Sequence, residues 1–300
     1  MATPRLTKHV SRIVAATDFS TDAGNAVRCA AMLAGRHGLV LELLHIVSRS
    51  SLDAVREWFR QPADFADRLV ADAKRMLEES AASIGTPATA RVAVGDVLDE
   101  ILASCARDCL LAVGAHGLNP LRDAILGTTA ERLVGRCECP ILVVRRGPQE
   151  EYQKLLAAVD LLPGSENVLA IAAAIAPRAT LAAAHAFDVP FEGALGRAGV
   201  PTSEIDQHRA AAFHRALAAM RGLGATVDGD PALFRPIVER GHAAQLIMEH
   251  EQALSADLVV IGKRARSAPE ALLLGSVTRH VLADAGCDVL VVPLERALVS

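Results

Sequence analysis

Short, nearly unbroken runs of Val, Ile, Leu and Ala alternate along this chain with longer stretches in which apolar residues return every three or four positions. In the first half the apolar runs fall near 11–17, 39–47, 89–94, 109–114 and 140–145. Runs this short, without polar alternation, predict strands covered on both faces. The stretches 21–37, 62–84, 96–107 and 128–136 predict amphipathic helices. Asp22 lies near the start of the first and Gly38 just past its end, while Pro62 and Gly85 frame the second. The Ser-rich segment 48–61, with Trp58, reads as a loop. Strand and helix in strict alternation imply a parallel sheet with right-handed crossovers and helices on both sides.

The pattern then starts again. Strands are expected near 154–159, 179–186, 233–238, 257–261 and 288–292, with an Ala-rich helix over 204–221. The segment 188–203, with three glycines and two prolines, reads as a loop. Five landmarks recur in order. Arg12-Ile-Val-Ala-Ala-Thr-Asp18 returns as Lys154-Leu-Leu-Ala-Ala-Val-Asp160, and Leu43-Leu-His-Ile46 as Ala183-Ala-His-Ala186. Leu110-Leu-Ala-Val-Gly114 returns as Leu258-Val-Val-Ile-Gly262, Gly127-Thr128 as Gly275-Ser276, and Ile141-Leu-Val-Val144 as Val289-Leu-Val-Val292. The offsets run from 140 to 148 residues, too long for a solenoid unit, so a whole domain has been duplicated. The boundary falls in the short breaker segment 146–150, giving domains over 1–148 and 149–300. The final strands, Ile141–Val144 and Val289–Val292, are expected to pair across the halves and so cover an exposed edge. The chain would then be a pseudo-symmetric dimer within itself, able to form a homodimer in turn.

Composition narrows the function. Seven Phe, one Tyr and one Trp leave few rings for stacking bases, and the formal net charge is −4 without a basic run. Both argue against nucleic acid. No stretch of about 18 apolar residues exists to span a membrane. The N-terminal segment lacks the apolar core of a signal peptide, so a cytoplasmic protein is expected. Cys29, Cys105, Cys109, Cys137, Cys139 and Cys287 do not form a disulfide framework, and the C-x₂-C pairs of zinc ribbons are missing. Cys105 and Cys109 are spaced as neighbours on one helix face. They are read as buried thiols, with no metal site assigned.

The most specific feature is Gly114-Ala-His-Gly117, nine residues, then Gly127-Thr128, running from the end of the fourth strand to the next helix. Ligands of open α/β sheets sit beyond the carboxyl ends of the strands. Free amides at Gly127, Thr128 and Thr129, aided by the helix dipole, would form a phosphate site. The alternative is a glycine-rich turn with a Thr N-cap that stabilises the helix without any ligand.

This G-x₂-G-x₉-G-[S/T] pattern resembles the nucleotide-binding signature of the universal stress protein family. Val14-Ala-Ala-Thr-Asp-Phe-Ser20 is similar to the family's first strand and its acidic residue, and Leu44-His45-Ile46 to its second strand. Gly127–Val134 followed by Cys139-Pro-Ile-Leu-Val-Val144 resembles its last helix and strand. The resemblance covers nearly the whole chain, twice. It implies two tandem doubly wound, Rossmann-like, five-stranded parallel-sheet domains and a site for ATP or AMP, with Mg²⁺ as an accompanying ion. By that resemblance Ala16, Thr17 and Asp18 flank the adenine and ribose, and Ile46 packs on the base. Val113 and Gly114 lie beneath the ribose and phosphates. Gly117, Gly127, Thr128 and Thr129 hold the phosphates, with His116 and Ala130 beside them.

The second half departs from the signature. Gly262-Lys263-Arg264-Ala265 has Ala at the second glycine, while Gly275, Ser276, Val277 and Thr278 restore the phosphate end and Asp160 the acidic residue. Ala186 in place of Ile46 predicts a roomier or emptier base pocket. Lys263, Arg264 and Arg266 could attract phosphate or form a solvated basic turn. His185 and His242 together could serve a different ligand or a metal. His45 and His185, at equivalent places, fit a capping or hydrogen-bonding role near a strand end.

No Walker loop, dinucleotide fingerprint or nucleophile elbow is present. Turnover beyond slow ATP hydrolysis is therefore not expected. The expectation is a regulatory stress-response module that binds adenine nucleotide, chiefly in the first domain. Two alternatives stand beside it: a scaffold or small-molecule or metal sensor of the same fold, and a slow ATPase.

Overall fold

A computed structural model describes residues 5–59, 64–117, 127–147, 151–189, 192–264 and 274–294. The first half runs β1 (Arg12–Ala16), α1 (Thr21–His37), β2 (Val40–Ser48), α2 (Arg49–Phe59), α3 (Phe65–Ser83), β3 (Ala88–Gly95), α4 (Val97–Ser104), β4 (Cys109–Gly114), α5 (Thr128–Arg136) and β5 (Ile141–Val144). The second runs β6 (Lys154–Ala158), α6 (Ser165–Ile175), β7 (Thr180–Phe187), α7 (Glu192–Arg197), α8 (Thr202–Thr226), β8 (Phe234–Arg240), α9 (Ala243–Leu254), β9 (Leu258–Arg264), α10 (Ser276–Asp284) and β10 (Asp288–Leu294).

The ten strands form one sheet in the order β3-β2-β1-β4-β5-β10-β9-β6-β7-β8. Within each half every pairing is parallel. The halves meet where β10 pairs antiparallel with β5, Leu290 opposite Leu142, as the edge argument expected. Asp288 secures this seam from inside. Its Oδ1 accepts the backbone amides of Arg145 and Arg146, at 2.8 and 3.1 Å, and its Oδ2 accepts the Tyr152 hydroxyl at 2.7 Å. Burial pushes its carboxyl above the usual range, opposed by those amides.

The sheet feeds two apolar layers because successive side chains of a strand point to opposite faces. Ile13 and Ala15 join the core beneath α1, α3, α6 and α8, whereas Val14 and Ala16 join the core beneath α4, α5, α9 and α10. Both cores contain residues of both halves.

Local signals place most boundaries. Ser20 caps α1 by accepting the Ala23 amide, and Gly38 ends it at φ 64°, a left-handed conformation that costs glycine little. Asp96 caps α4 by accepting the amides of Leu98 and Asp99. Three expectations are corrected. The segment 48–61 is not a loop: α2 occupies most of it, and the Ser48 hydroxyl accepts the Ser51 amide at 3.4 Å in the manner of a helix cap. The segment 188–203 contains a short helix, α7. Cys105 and Cys109 do not share a helix face, because α4 ends at Ser104 and Cys109 opens β4. Pro62 and the expected domain boundary at 148/149 lie outside the described residues.

Candidate functional site

In the first half the sheet order reverses between β1 and β4. There the chain turns outward on one side through β2 and on the other through β5, and the divergence opens a crevice at the carboxyl ends of the two strands. A cavity of about 460 Å³ occupies this crevice. Pockets for small ligands typically run from about 300 to 1,000 Å³.

The walls come from successive elements. Ala16, Thr17 and Asp18 continue from β1, and Val113, Gly114, His116 and Gly117 from β4. Leu44 and Ile46, two residues apart on β2, present one face of that strand. Gly127, Thr128, Thr129 and Ala130 come from the start of α5. All twelve residues singled out in this half therefore line one cavity. Sequence reading missed its apolar floor, Val97, Ile101 and Leu133, and Ser51 on α2. The i,i+4 spacing of Val97 and Ile101 was a signal for the first pair. Ser51 had none once its segment was read as a loop.

The chain after β1 is held by its own side chains. Phe19 sits at φ 65°, a conformation that bulky residues seldom adopt. The Phe19 amide donates to Thr17 Oγ1 and the Ser20 amide to Asp18 Oδ1, both at 3.0 Å. The Phe19 ring lies 4.4 Å from that of His45, whose Nδ1 donates to the Thr17 carbonyl at 2.8 Å. His185 repeats this bond to the Val159 carbonyl at 3.0 Å, so both histidines buttress the first strand of their half.

At the start of α5 two details differ from the free-amide reading. The Gly127 amide donates to the Ala115 carbonyl at 2.8 Å and so is not free for a phosphate. The N-cap of α5 is Gly127, not a threonine, and no side chain caps the helix. The amides of Thr128 and Thr129, and their exposed hydroxyls, thus edge the cavity at the positive end of the helix dipole. His116 donates to Asp22 Oδ2 at 2.9 Å. Gly114 is required by packing: a Cβ there would lie 2.6 Å from the Asp22 carbonyl carbon. At Gly117 a Cβ would lie 2.7 Å from Asp18 Oδ2, which ties the glycine to the acidic residue.

The equivalent crevice in the second half is smaller, about 210 Å³, not roomier. Asp160, Gly262, Val277 and Thr278 line it; Gly275 and Ser276, at the uncapped start of α10, do not. Arg264 engages its acidic residue. Its guanidinium holds both oxygens of Asp160 at 2.7 Å and donates to the Pro163 carbonyl at 2.8 Å. Partial burial opposes it, yet the hydrogen bond from Arg264 holds the Asp160 carboxyl down at about 2. Leu294 fills the space over Gly262, where a Cβ would meet its Cδ1 at 2.7 Å. Lys263 turns away to the first half. Its ammonium donates to the carbonyls of Val134, Gly135 and Cys137 at 2.8, 2.7 and 3.3 Å. Lys263 is thus held by backbone carbonyls of the first half and Arg264 by Asp160. Among the described residues no group of three metal-ligating side chains includes His185 or His242. Ala265 and Arg266 lie outside the described residues.

Two doubly wound α/β domains on one sheet, each with a crevice at its switch point, define the class of protein. The model of the universal stress protein family matches residues 9–145 and again 151–293, and the chain belongs to that family as a tandem member. It is 28% identical over 300 residues to universal stress protein Rv2623 of Mycobacterium tuberculosis, covering 93% of this chain and 95% of that one. It is 27% identical to a universal stress protein of Mycolicibacterium smegmatis, covering 93% and 96%. The fold is shared with a universal stress protein from Archaeoglobus fulgidus, at a TM-score of 0.68 and 16% identity over 94% of this chain and 98% of that one. A functionally unknown protein of Pseudomonas aeruginosa PAO1 shares it at 0.62 and 22%, over 96% and 94%. Among the described residues no helix is long and apolar enough to cross a membrane.

Proposed function

We propose that the first half binds an adenine nucleotide, ATP or AMP, and that the chain acts as a cytoplasmic regulatory module in the stress response, with domains over 1–148 and 149–300. The observation that carries this reading is the cavity at the β1–β4 switch point, lined both by a carboxylate and by an uncapped helix start. Asp18 faces the ribose, whose hydroxyls are donors. Ile46 and Leu44 form an apolar wall for the base, a role that needs no aromatic ring. Thr128 and Thr129 receive the phosphates through amide and hydroxyl donors. A Mg²⁺ accompanying the phosphates would take its ligands chiefly from phosphate oxygens and water.

Isothermal calorimetry of the full chain with ATP and AMP tests the proposal. The full chain is needed, because a first-half fragment would expose β5, which β10 covers. One binding event per chain, clearly weakened in Asp18→Ala, is the expected result. No heat at millimolar nucleotide would overturn it.

A further inference from the structure

Four of the six cysteines converge at the end of the sheet opposite the nucleotide cavity. Cys109 opens β4 while Gly114, at the cavity, closes it. Five steps along a strand separate them, about 16 Å. The convergence follows from register. Parallel β4 and β5 pair with Leu111 opposite Ile141, so two residues earlier Cys109 comes beside Cys139. Their sulfurs are 3.3 Å apart. Cys137, the C-cap of α5 in extended conformation, stands two residues before Cys139, and their sulfurs are 3.2 Å apart. Cys105, the C-cap of α4, completes the group. Its sulfur and those of Cys109 and Cys139 all lie within 4.8 Å of one another, and its thiol is hydrogen-bonded to Cys137.

Cys109, Cys137 and Cys139 are buried and Cys105 is partly exposed, so the group has one opening to solvent. None is joined in a disulfide. Four neutral thiols packed together satisfy one another poorly, since a thiol is a weak donor and a weak acceptor. Around a tetrahedral ion with metal–sulfur bonds of about 2.3 Å, sulfurs stand about 3.8 Å apart. The sulfurs of Cys105, Cys109 and Cys139, all within 4.8 Å of one another, are spaced for one ion, and Cys137, outside that trio but 3.2 Å from Cys139, stands in reach as the fourth ligand. Compensating charge is close by. The Lys263 ammonium, reaching over from β9, donates to the Cys137 carbonyl at 3.3 Å.

The geometry points to a structural Zn²⁺ site made by Cys105, Cys109, Cys137 and Cys139. Each thiol gives its proton to solvent as the sulfur takes up the ion, and no oxidation is involved. With all four positions taken by protein, the ion has no open position for catalysis. It ties the start of β4 to the turn between α5 and β5, and so braces the far end of the helix whose first turn edges the nucleotide cavity.

The test is a Co²⁺ titration of the reduced full chain without nucleotide, so that its outcome is independent of the calorimetry above. One Co²⁺ per chain is expected, with a thiolate-to-metal charge-transfer band and tetrahedral d–d bands, both displaced by Zn²⁺. Cys139→Ser and Cys105→Ser should lose the tetrahedral thiolate spectrum; Cys29→Ser and Cys287→Ser should keep it. Cys105→Ser, at the partly exposed position, serves if the buried variant does not fold. Absence of the bands in the parent chain, their persistence in Cys105→Ser, or a disulfide among the four found by peptide mapping would each overturn the assignment.

Discussion

The two halves are built alike and differ at the crevice. Both place an acidic residue after the first strand, a histidine bonded back to that strand and an uncapped glycine before the last helix. Yet one cavity measures about 460 Å³ and the other about 210 Å³. Loss of the second glycine of the signature predicted a weakened site, and Ala265 lies outside the described residues. Two other residues narrow the crevice. Arg264 turns the acidic residue into half of an ion pair, and Leu294 fills the floor over Gly262. A duplicated site can thus narrow through side chains at positions the signature leaves unspecified.

The largest effect that could break this comparison is expected at its paired glycines. Gly114→Val drives a side chain into the α1 backbone and should cost about 3 kcal/mol, read by thermal unfolding. Gly262→Ala meets the mobile end of a leucine and should cost about 1 kcal/mol. Equal losses would mean that the two glycines do the same task.

Next in size is binding. Removing a charge-assisted hydrogen bond costs about 2 kcal/mol, so Asp18→Ala should weaken nucleotide affinity roughly 30-fold by calorimetry. Asp160→Ala should leave it unchanged, since Arg264 already holds that carboxylate. A third expectation sharpens the contrast. Arg264→Ala with Leu294→Ala should open the second crevice and add a second event, about tenfold weaker than the first. An unchanged stoichiometry would show that the masked ribose contact is not what disables it.

The smallest effect is a pH dependence. Asp160 is held at about 2, below the value of about 4 for an unfolded aspartate. Its contribution to stability is therefore full above pH 4 and is lost as pH falls from about 4 to about 2. Denaturant titrations across this window should show a shallower acid slope in Arg264→Ala than in the parent chain.

How much was legible can be judged at particular residues. The strands, most helices, the β5–β10 pairing and every first-half residue singled out for the cavity were readable in advance. Apolar runs, caps and glycine spacing are local signals, and the duplication states them twice. The α2 helix was missed because four polar residues, Ser48 to Ser51, masked a serine cap. The destination of the Gly127 amide was missed because an acceptor twelve residues upstream leaves no mark on local pattern.

By itself the sequence determined the architecture: a duplicated α/β unit, the ends of its strands where a ligand sits, and an edge strand that needs a partner. Only the tertiary structure decided what lies in each crevice and at the far end of the sheet. Arg264 finds Asp160 across 104 residues, and Cys109 finds Cys139 across 30. Backbone propensity acts over a turn of chain, whereas these contacts depend on which strands become neighbours and in what register, and that is settled only when the sheet closes.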